Sequence, residues 1–291
     1  MSPDEAGMKL LVTGAGGMLG QEVVGAARRN GHGVVALVRA ELDVTRTDAL
    51  RRRFDTERPD AVVNCAAYTN VDGAEEERTA AFEVNGWAPG AVAAAAAEVG
   101  ASVLHISSDY VFDGGKREPY VESDVPAPLS AYGESKLAGE APTIEANPRH
   151  FMVRSAWLFG PGGPNFVETI LRLGGERDEV RVVDDQTGSP TFCVDLAEAL
   201  VALIATEDYG IHHVAGGGAG SWAQLAAETF RGAEVDCRVT PITTAEMNRP
   251  APRPAYSALD SERPDTPHLR PWPQGLAAYL ASRTERQGVA G

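Results

Sequence analysis

The sequence predicts an α/β protein that begins with a doubly wound parallel sheet and continues into a smaller α/β part. The first observation is that short apolar runs of strand length alternate with helical patterns through the first half of the chain. The second is that these runs are apolar almost throughout, as expected when helices cover both faces of a sheet. The third is a glycine-rich turn directly after the first strand. With 291 residues, the chain is long enough to bury such a core.

The predicted elements alternate between strand and helix up to residue 159. Apolar runs predict strands at residues 9–13, 32–39, 60–67, 101–108, 150–159 and 210–217. Amphipathic or alanine-rich runs predict helices at residues 21–29, 47–56, 79–99, 131–146, 165–173, 194–205 and 222–230. Proline-rich stretches predict surface loops at Pro241 and at residues 250–254 and 264–273.

Composition and charge exclude several classes of protein. The formal net charge of −15 repels polyanions, which argues against nucleic acid and against an anionic membrane as partner. No apolar run is long enough to span a bilayer, and the opening MSPDEAG does not resemble a secretory signal. Cys65, Cys193 and Cys237 are odd in number and widely spaced, which argues against a disulfide framework or a zinc site. We therefore expect a cytoplasmic protein without a metal site.

Three glycines after the first strand predict a phosphate-binding turn. Gly14, Gly17 and Gly20 allow a sharp turn, close approach of the backbone to a pyrophosphate, and tight packing of helix on strand. The N-terminus of the following helix then faces the anion. This arrangement predicts a Rossmann-like dinucleotide site, and the alternative is a purely structural turn.

The end of the second strand selects between the two nicotinamide cofactors. Val38 and Arg39 occur where an acidic residue would favour NADH, so a cation is available for the 2′-phosphate of NADPH. We expect NADPH, with NADH also usable, unless Arg39 is only a solvated charge. Asp43 either binds the adenine amino group or caps the next helix.

Tyr132 and Lys136 form a Y-x-x-x-K pair on one face of a predicted helix. An ammonium beside a phenol is expected to lower the tyrosine pKa and so to tune it for proton transfer to a carbonyl oxygen. Ser107 and Ser108 end the preceding strand, where ligands of open α/β sheets bind. Ser108 is therefore a candidate to share the carbonyl oxygen with Tyr132.

A pattern change after Gly160, where glycine and proline become frequent, marks the start of a second part. We predict a dinucleotide-binding domain over residues 8–155 that is rejoined by part of residues 192–216. Residues 156–285 are predicted to be mainly a substrate-binding domain.

Together these residues resemble the extended short-chain dehydrogenases, and more narrowly the dTDP-4-dehydrorhamnose reductase family. The similarity runs from about residue 8 to about residue 280, and its most distinctive segments are SSDYVFDG, DDQTGSPT and RPAYSALD. It implies an NAD(P)H-dependent reduction of the C4 keto group of a dTDP-4-keto-6-deoxysugar. Tyr132 would donate the proton, Lys136 would tune Tyr132 and bind the nicotinamide ribose, and Ser108 would bind the keto oxygen.

The resemblance also implies residues for the two ligands. Cofactor positions would be Gly14, Gly17, Met18, Leu19, Gly20, Arg39, Asp43, Val44, Ala66, Ala67, Tyr68, Asn85, Tyr132 and Lys136. Substrate positions would be Ser108, Asp109, Trp157, Asn165, Gln186, Pro190, Thr191 and Arg253. Asn85 would support Lys136 through water, Trp157 would pack on the sugar and Arg253 would clamp the diphosphate.

Several of these assignments have structural alternatives. Trp157 would then belong to the core, Asn85 would stabilise a helix, and Arg253 would be a surface charge. Asp184 and Asp185 are read as a polar turn, and His212 and His213 as structural residues of a strand.

Three functions remain open at this stage. The first is reduction of dTDP-4-dehydro-L-rhamnose. The second is reduction of another 4-keto-6-deoxysugar, of the dihydrostreptose type, in an antibiotic pathway. The third is a non-catalytic, NADP-binding regulatory subunit. A monomer and a homodimer are equally compatible with the sequence.

Overall fold

The fold is built around a parallel sheet with helices on both faces. A computed structural model describes residues 7–289. The strands are β1 Lys9–Thr13, β2 Gly33–Leu37, β3 Ala61–Asn64, β4 Ser102–Ser108, β5 His150–Ser155, β6 Leu158–Phe159, β7 Glu179–Val183, β8 Thr187–Gly188, β9 Thr191–Phe192, β10 Gly210–His213, β11 Gly220–Ser221 and β12 Arg238–Ile242. The α-helices are α1 Met18–Arg29, α2 Thr47–Glu57, α3 Gly73–Glu76, α4 Arg78–Phe82, α5 Ala88–Glu98, α6 Ala131–Ala146, α7 Phe166–Glu176, α8 Cys193–Ile204, α9 Trp222–Gly232, α10 Thr244–Met247 and α11 Trp272–Val289. A π-helical turn, Glu83–Trp87, joins α4 to α5, and a 3-10 turn, Asp109–Val111, follows β4.

The main sheet has the strand order β10-β5-β4-β3-β1-β2, and each pair of neighbours is parallel. The chain adds β2 on one side of β1 and β3 on the other, so the winding direction reverses between β1 and β3. In open sheets of this kind, ligands bind at such a switch point, beyond the carboxyl ends of the strands. The predicted doubly wound parallel sheet is confirmed.

Helices bury both faces of this sheet. On one face, Val23 of α1 and Leu196 of α8 pack with Leu10 of β1. On the other, Phe54 of α2 and Val92 of α5 join a second cluster. Complete burial of a side chain of this size stabilises the folded protein by about 1.5–3 kcal/mol. Both α8 and β10 come from beyond residue 192, yet they pack on this sheet.

The single strand predicted at residues 150–159 is wrong. β5 ends at Ser155, and Trp157 adopts a left-handed conformation with φ +48°. The chain then leaves the main sheet, and β6 pairs with β9 instead. A left-handed tryptophan costs on the order of 1–3 kcal/mol, and such strain is concentrated at functional sites.

Two further expectations fail in the C-terminal part. Pro241 lies in β12, which pairs with β7, and not in a loop. Proline is tolerated there because β12 pairs on one side only, within a two-stranded sheet. α11 was not predicted, since Pro273 and Gly275 weaken its helical pattern, but proline is well accommodated in the first helical turn.

Candidate active site

The turn between β1 and α1 fits a pyrophosphate. Gly14 has φ +65°, and a Cβ there would lie 2.6 Å from the amide nitrogen of Ala66. A Cβ at Gly20 would lie 2.2 Å from the carbonyl oxygen of Gly14. α1 begins after Gly17 with no side-chain cap and, within this described turn, no acidic residue. Its first N–H groups and the positive end of its dipole are thus directed at a site that suits an anion. Met18 and Leu19 are the first residues of this helix.

The end of β2 lies beside this turn and carries the candidate adenosine residues. Arg39 is exposed, and its charge contributes to lowering the pKa of Asp43. The Asp43 carboxylate mainly accepts hydrogen bonds from the backbone and hydroxyl of Thr45, at 3.0 and 2.8 Å. It does not cap α2, whose N-cap is Arg46. Sequence reasoning missed Glu41, whose carboxylate accepts from the Val38 amide at 3.0 Å.

A second wall of the crevice follows β3. Ala66 is half-buried and Ala67 exposed. Val44, in the connection between β2 and α2, is buried in the cluster against which Ala66 packs. Asn85, on the π-helical turn, is fully buried and accepts from the Tyr68 amide at 2.8 Å. Its amide group donates to the Tyr68 carbonyl at 2.9 Å and to the Ser135 hydroxyl at 3.0 Å. Asn85 therefore joins the β3 loop to α6.

The structure brings Ser108, Tyr132 and Lys136 together at the carboxyl end of β4. Ser108 is the last residue of β4 and is buried. Tyr132 stands in the first turn of α6, where the hydroxyl of the N-cap Ser130 accepts from the Gly133 amide at 3.1 Å. The Tyr132 phenol lies near enough to the Ser108 hydroxyl for that hydroxyl to influence its pKa. Lys136, one turn later, is buried and donates to the Ile106 carbonyl at 2.6 Å.

The pKa of Tyr132 is raised to about 12, mainly by burial, against the opposing effect of the nearby Ser108 hydroxyl. The expectation that Lys136 lowers the tyrosine pKa is therefore wrong for this structure. The pKa of Lys136 is itself lowered to about 8 by burial, and the nearby Glu140 carboxylate opposes that shift. At neutral pH the phenol therefore keeps its proton, which is the form that a proton donor needs.

Asp109 connects Ser108 to the C-terminal part of the chain. Its carboxylate accepts from the Ser108 hydroxyl at 3.0 Å and from the Ser257 hydroxyl at 2.6 Å. Burial raises the pKa of Asp109 to about 7, although both hydrogen bonds act in the opposite direction. Sequence reasoning assigned Asp109 to the site but missed Ser257, which lies inside the segment RPAYSALD.

Two tryptophans form a stack beside this site. Trp157 and Trp222 are parallel, with ring centroids 3.5 Å apart and planes at 4°. The Trp222 indole donates to Gln186 at 3.1 Å, and Gln186 donates to the Thr244 hydroxyl at 2.9 Å. The indole nitrogen of Trp157 is buried and has no hydrogen-bond partner among the residues described. Trp157 is thus a buried donor held in position by Trp222.

Arg253 is ion-paired across the two parts of the chain. Its guanidinium lies 3.0 Å from the Asp72 carboxylate, which also pairs with Arg249 at 3.2 Å. Its charge also lies near enough to the Tyr110 phenol to act against the raised pKa of that phenol, and the Tyr110 ring meets Tyr132 edge-to-face at 5.7 Å. Arg253 therefore lies one side chain away from the candidate proton donor and is not a solvated surface charge.

The remaining candidates serve the protein's own structure. Asn165 caps α7, accepting from the Glu168 amide at 3.1 Å. Thr191 is fully buried, and its hydroxyl donates to the Ser189 carbonyl at 3.0 Å. The carbonyl of Pro190 lies against Gly216, where a Cβ would be 2.0 Å away. Contact of these residues with a substrate stays a prediction.

The described residues also bear on metal binding and on membrane insertion. Within residues 7–289, no group of three or more histidine, cysteine, aspartate or glutamate side chains is arranged to hold a metal ion. Over the same residues, no helix combines the length and the apolar character that crossing a membrane requires. His212 and His213 are buried, and each has a ring nitrogen within hydrogen-bond distance of neighbouring protein groups.

The glycine turn at the switch point of the sheet, with Ser108, Tyr132 and Lys136 at the strand ends, defines an extended short-chain dehydrogenase. The family model described as "RmlD substrate binding domain" matches residues 8–285. A dTDP-4-dehydrorhamnose reductase from Streptomyces griseus is 45% identical over 288 residues, covering 97% of this chain and 95% of that protein. This chain belongs to the dTDP-4-dehydrorhamnose reductase family.

Two further relatives extend the comparison. A probable dTDP-4,6-dihydroxy-2-methyloxan-3-one 4-ketoreductase from Streptomyces antibioticus is 43% identical, and the match covers 88% of each chain. The solved dTDP-4-dehydrorhamnose reductase from Bacillus anthracis, in complex with NADP, superimposes with a TM-score of 0.93 at 37% identity, covering 95% of this chain and 99% of that chain. The predicted family is thus confirmed.

Proposed function

We propose that the protein reduces the C4 keto group of dTDP-4-dehydro-L-rhamnose to give dTDP-L-rhamnose, with NADPH as the hydride donor. The observation that carries this proposal is the placement of Ser108, Tyr132 and Lys136 together at the carboxyl end of β4, beyond the glycine turn. The names of the Streptomyces griseus and Bacillus anthracis relatives support the same substrate, and the latter's complex supports NADP. NADH is a usable second cofactor, since the Glu41 carboxylate lies at the end of β2, where an acidic residue can accept hydrogen bonds from the adenosine ribose.

Each candidate residue has a defined task in this proposal. When bound, the nicotinamide supplies a hydride to C4. Tyr132 transfers its phenolic proton to the oxygen of the resulting alkoxide, and the Lys136 ammonium stabilises the phenolate that remains. Ser108 holds the keto oxygen, with Asp109 beside it. The backbone at Gly14, Gly17 and Gly20 holds the pyrophosphate.

The substrate residues come from the part of the chain that follows β5. Trp157 packs on the sugar, with its ring held in place by the parallel stack on Trp222. Arg253 binds the diphosphate bidentately, as arginine is suited to do. Asn165, Gln186, Pro190 and Thr191 complete this side of the pocket. Residues 8–155 with part of 192–216 bind the cofactor, and residues 156–285 bind mainly the sugar nucleotide.

A second candidate is reduction of another dTDP-4-keto-6-deoxysugar. The 4-ketoreductase from Streptomyces antibioticus favours it, since that relative is nearly as similar as the first. A regulatory subunit is disfavoured because Ser108, Tyr132 and Lys136 are all present and assembled in one place.

The test is NADPH consumption with dTDP-4-keto-L-rhamnose generated in the reaction by an epimerase. Turnover that depends on the epimerase establishes the rhamnose reaction. Turnover when the epimerase is omitted indicates that the protein reduces another dTDP-4-keto-6-deoxysugar, which is the second candidate function. Tight NADPH binding without any turnover would contradict the enzymatic proposal and favour a regulatory subunit. We place the protein in the cytoplasm, because its three cysteines are free. Light scattering will distinguish a monomer from a homodimer.

A further inference from the structure

A chain of hydrogen bonds links the C-terminal part of the protein to Ser108, beside the candidate proton donor. The Ser257 hydroxyl donates to one Asp109 oxygen at 2.6 Å, and the Ser108 hydroxyl donates to the other at 3.0 Å. Ser257, Asp109 and Ser108 are only 1%, 2% and 6% exposed. Ser108 in turn lies close to the Tyr132 phenol and influences its pKa. The members of this chain are thus shielded from water, which would otherwise compete for the same hydrogen bonds.

The Ser108 hydroxyl has a single proton, which limits the hydrogen bonds that this series of residues can make. A serine hydroxyl has one donor and two acceptor lone pairs. In this structure its proton points to Asp109, and the Tyr110 amide donates to its oxygen at 3.1 Å. With Asp109 ionised, the single Ser108 proton is therefore engaged by the carboxylate, and Ser108 cannot donate it to the keto oxygen of a substrate.

We propose that Ser257 and Asp109 are positioning residues of the reductase, which together set the direction of the Ser108 hydroxyl. This inference rests on the proposed function. Ser257 holds Asp109 in place, and Asp109 takes the Ser108 proton when it is ionised. When Asp109 is protonated, its own O–H donates to Ser108, and the Ser108 proton turns to the keto oxygen. No bond to carbon changes in this step, since only hydrogen bonds are exchanged.

The surroundings of Asp109 support a change of protonation in the working pH range. Burial raises its pKa to about 7. The titratable groups around it are Tyr110 on its own turn and Tyr132 on α6, and both phenols are neutral there because their pKa values are raised. The positive charge on this side is Arg253, which lies near Tyr110 and is paired with Asp72. The Ser257 hydrogen bond stabilises the carboxylate form.

Loss of the Ser257 hydroxyl is therefore expected to raise the pKa of Asp109. A net hydrogen bond to a charged acceptor corresponds to about one pH unit. In Ser257→Ala we expect kcat/KM for the reduction to persist to a pH higher by about that amount. Ser257→Thr keeps the donor and should restore the wild-type profile. If the alanine variant does not fold, Ser257→Cys retains most of the volume with a much weaker donor.

Ser261, four residues further along the sequence, provides a matched control. Ser261 donates to the Glu122 carboxylate, also at 2.6 Å, but this pair does not reach Ser108. Ser261→Ala should leave the pH profile unshifted. Equal profiles for Ser257→Ala and Ser261→Ala would overturn the proposal.

A second measurement separates this inference from the proposed function. The infrared band of the protonated carboxylic acid of Asp109 is identified by its loss in Asp109→Asn and followed against pH in the NADP-bound protein. An upward shift of the Asp109 pKa in Ser257→Ala, without such a shift in Ser261→Ala, supports the link between Ser257 and Asp109 even if no substrate turns over. The absence of that difference refutes the pairing, while absent turnover in the wild type refutes only the proposed function.

Discussion

The buried ion pair between Glu140 and Arg154 lies behind the candidate site. Breaking it tests how strongly burial governs the contribution of an ion pair to the stability of this fold. The Glu140 and Arg154 side chains are only 5% and 3% exposed, with nitrogen and oxygen 2.7 Å apart. Glu140 also accepts from the Ser107 hydroxyl at 2.6 Å. Glu140→Gln leaves the Arg154 charge buried and without its counter-charge. Removing one partner of a buried pair costs about 3–5 kcal/mol, so we expect this loss in the free energy of unfolding.

The control is an exposed ion pair whose glutamate lies on the same helix as Glu140. Glu134 pairs with Arg78, but these side chains are 39% and 52% exposed. Exposed pairs contribute about 0–1 kcal/mol, so Glu134→Gln should change stability little. Urea unfolding measures both variants, and the buried substitution should lower the midpoint by about 1 M or more at unchanged slope. If Glu140→Gln costs no more than Glu134→Gln, burial does not govern the energy of this pair and the reasoning is refuted.

Three further predictions concern the candidate site directly. Tyr132→Phe should lower kcat by about 10²–10⁴-fold, because the proton donor is lost; NADPH binding measured by fluorescence should persist, and unchanged turnover would exclude Tyr132 as the donor. Gly14→Ala should abolish NADPH binding in calorimetry, because its Cβ would lie 2.6 Å from the Ala66 backbone; wild-type affinity would disprove this close approach. Arg39→Ala should weaken NADPH binding by about tenfold through the loss of one phosphate contact; NADH binding serves as the control, and an equal loss for both cofactors would contradict a 2′-phosphate contact.

Local patterns predicted the parts of the fold that depend on neighbours in sequence. The glycine turn at Gly14, and the helical spacing of Tyr132 and Lys136, are properties of short segments. The structure places the glycine turn at the switch point and the other two residues at the carboxyl end of β4. The left-handed Trp157 has no such local signal, since tryptophan rarely adopts φ +48°. Its conformation depends on the stack with Trp222, which lies 65 positions later in the sequence.

The same limit applies to the electrostatics. The Y-x-x-x-K spacing suggested that Lys136 lowers the tyrosine pKa, but the effect of burial outweighs any such attraction and raises it to about 12. Burial depends on contacts made across the whole fold, which spacing along one helix cannot reveal. Ser257 was missed for a similar reason, since 148 residues separate it from Asp109.

The π-helical turn joins the two halves of the crevice. A π-helical turn often marks a functional position, and here it places Asn85 inward. Asn85 holds both the amide and the carbonyl of Tyr68 and also reaches Ser135 on α6, within one helical turn of Tyr132 and Lys136. The loop that lines the cofactor crevice and the helix that carries the proton donor are therefore fixed to one buried side chain. Since a regular α-helix would rotate the residues that follow by a different angle, the π-helical turn keeps these two parts of the site in register.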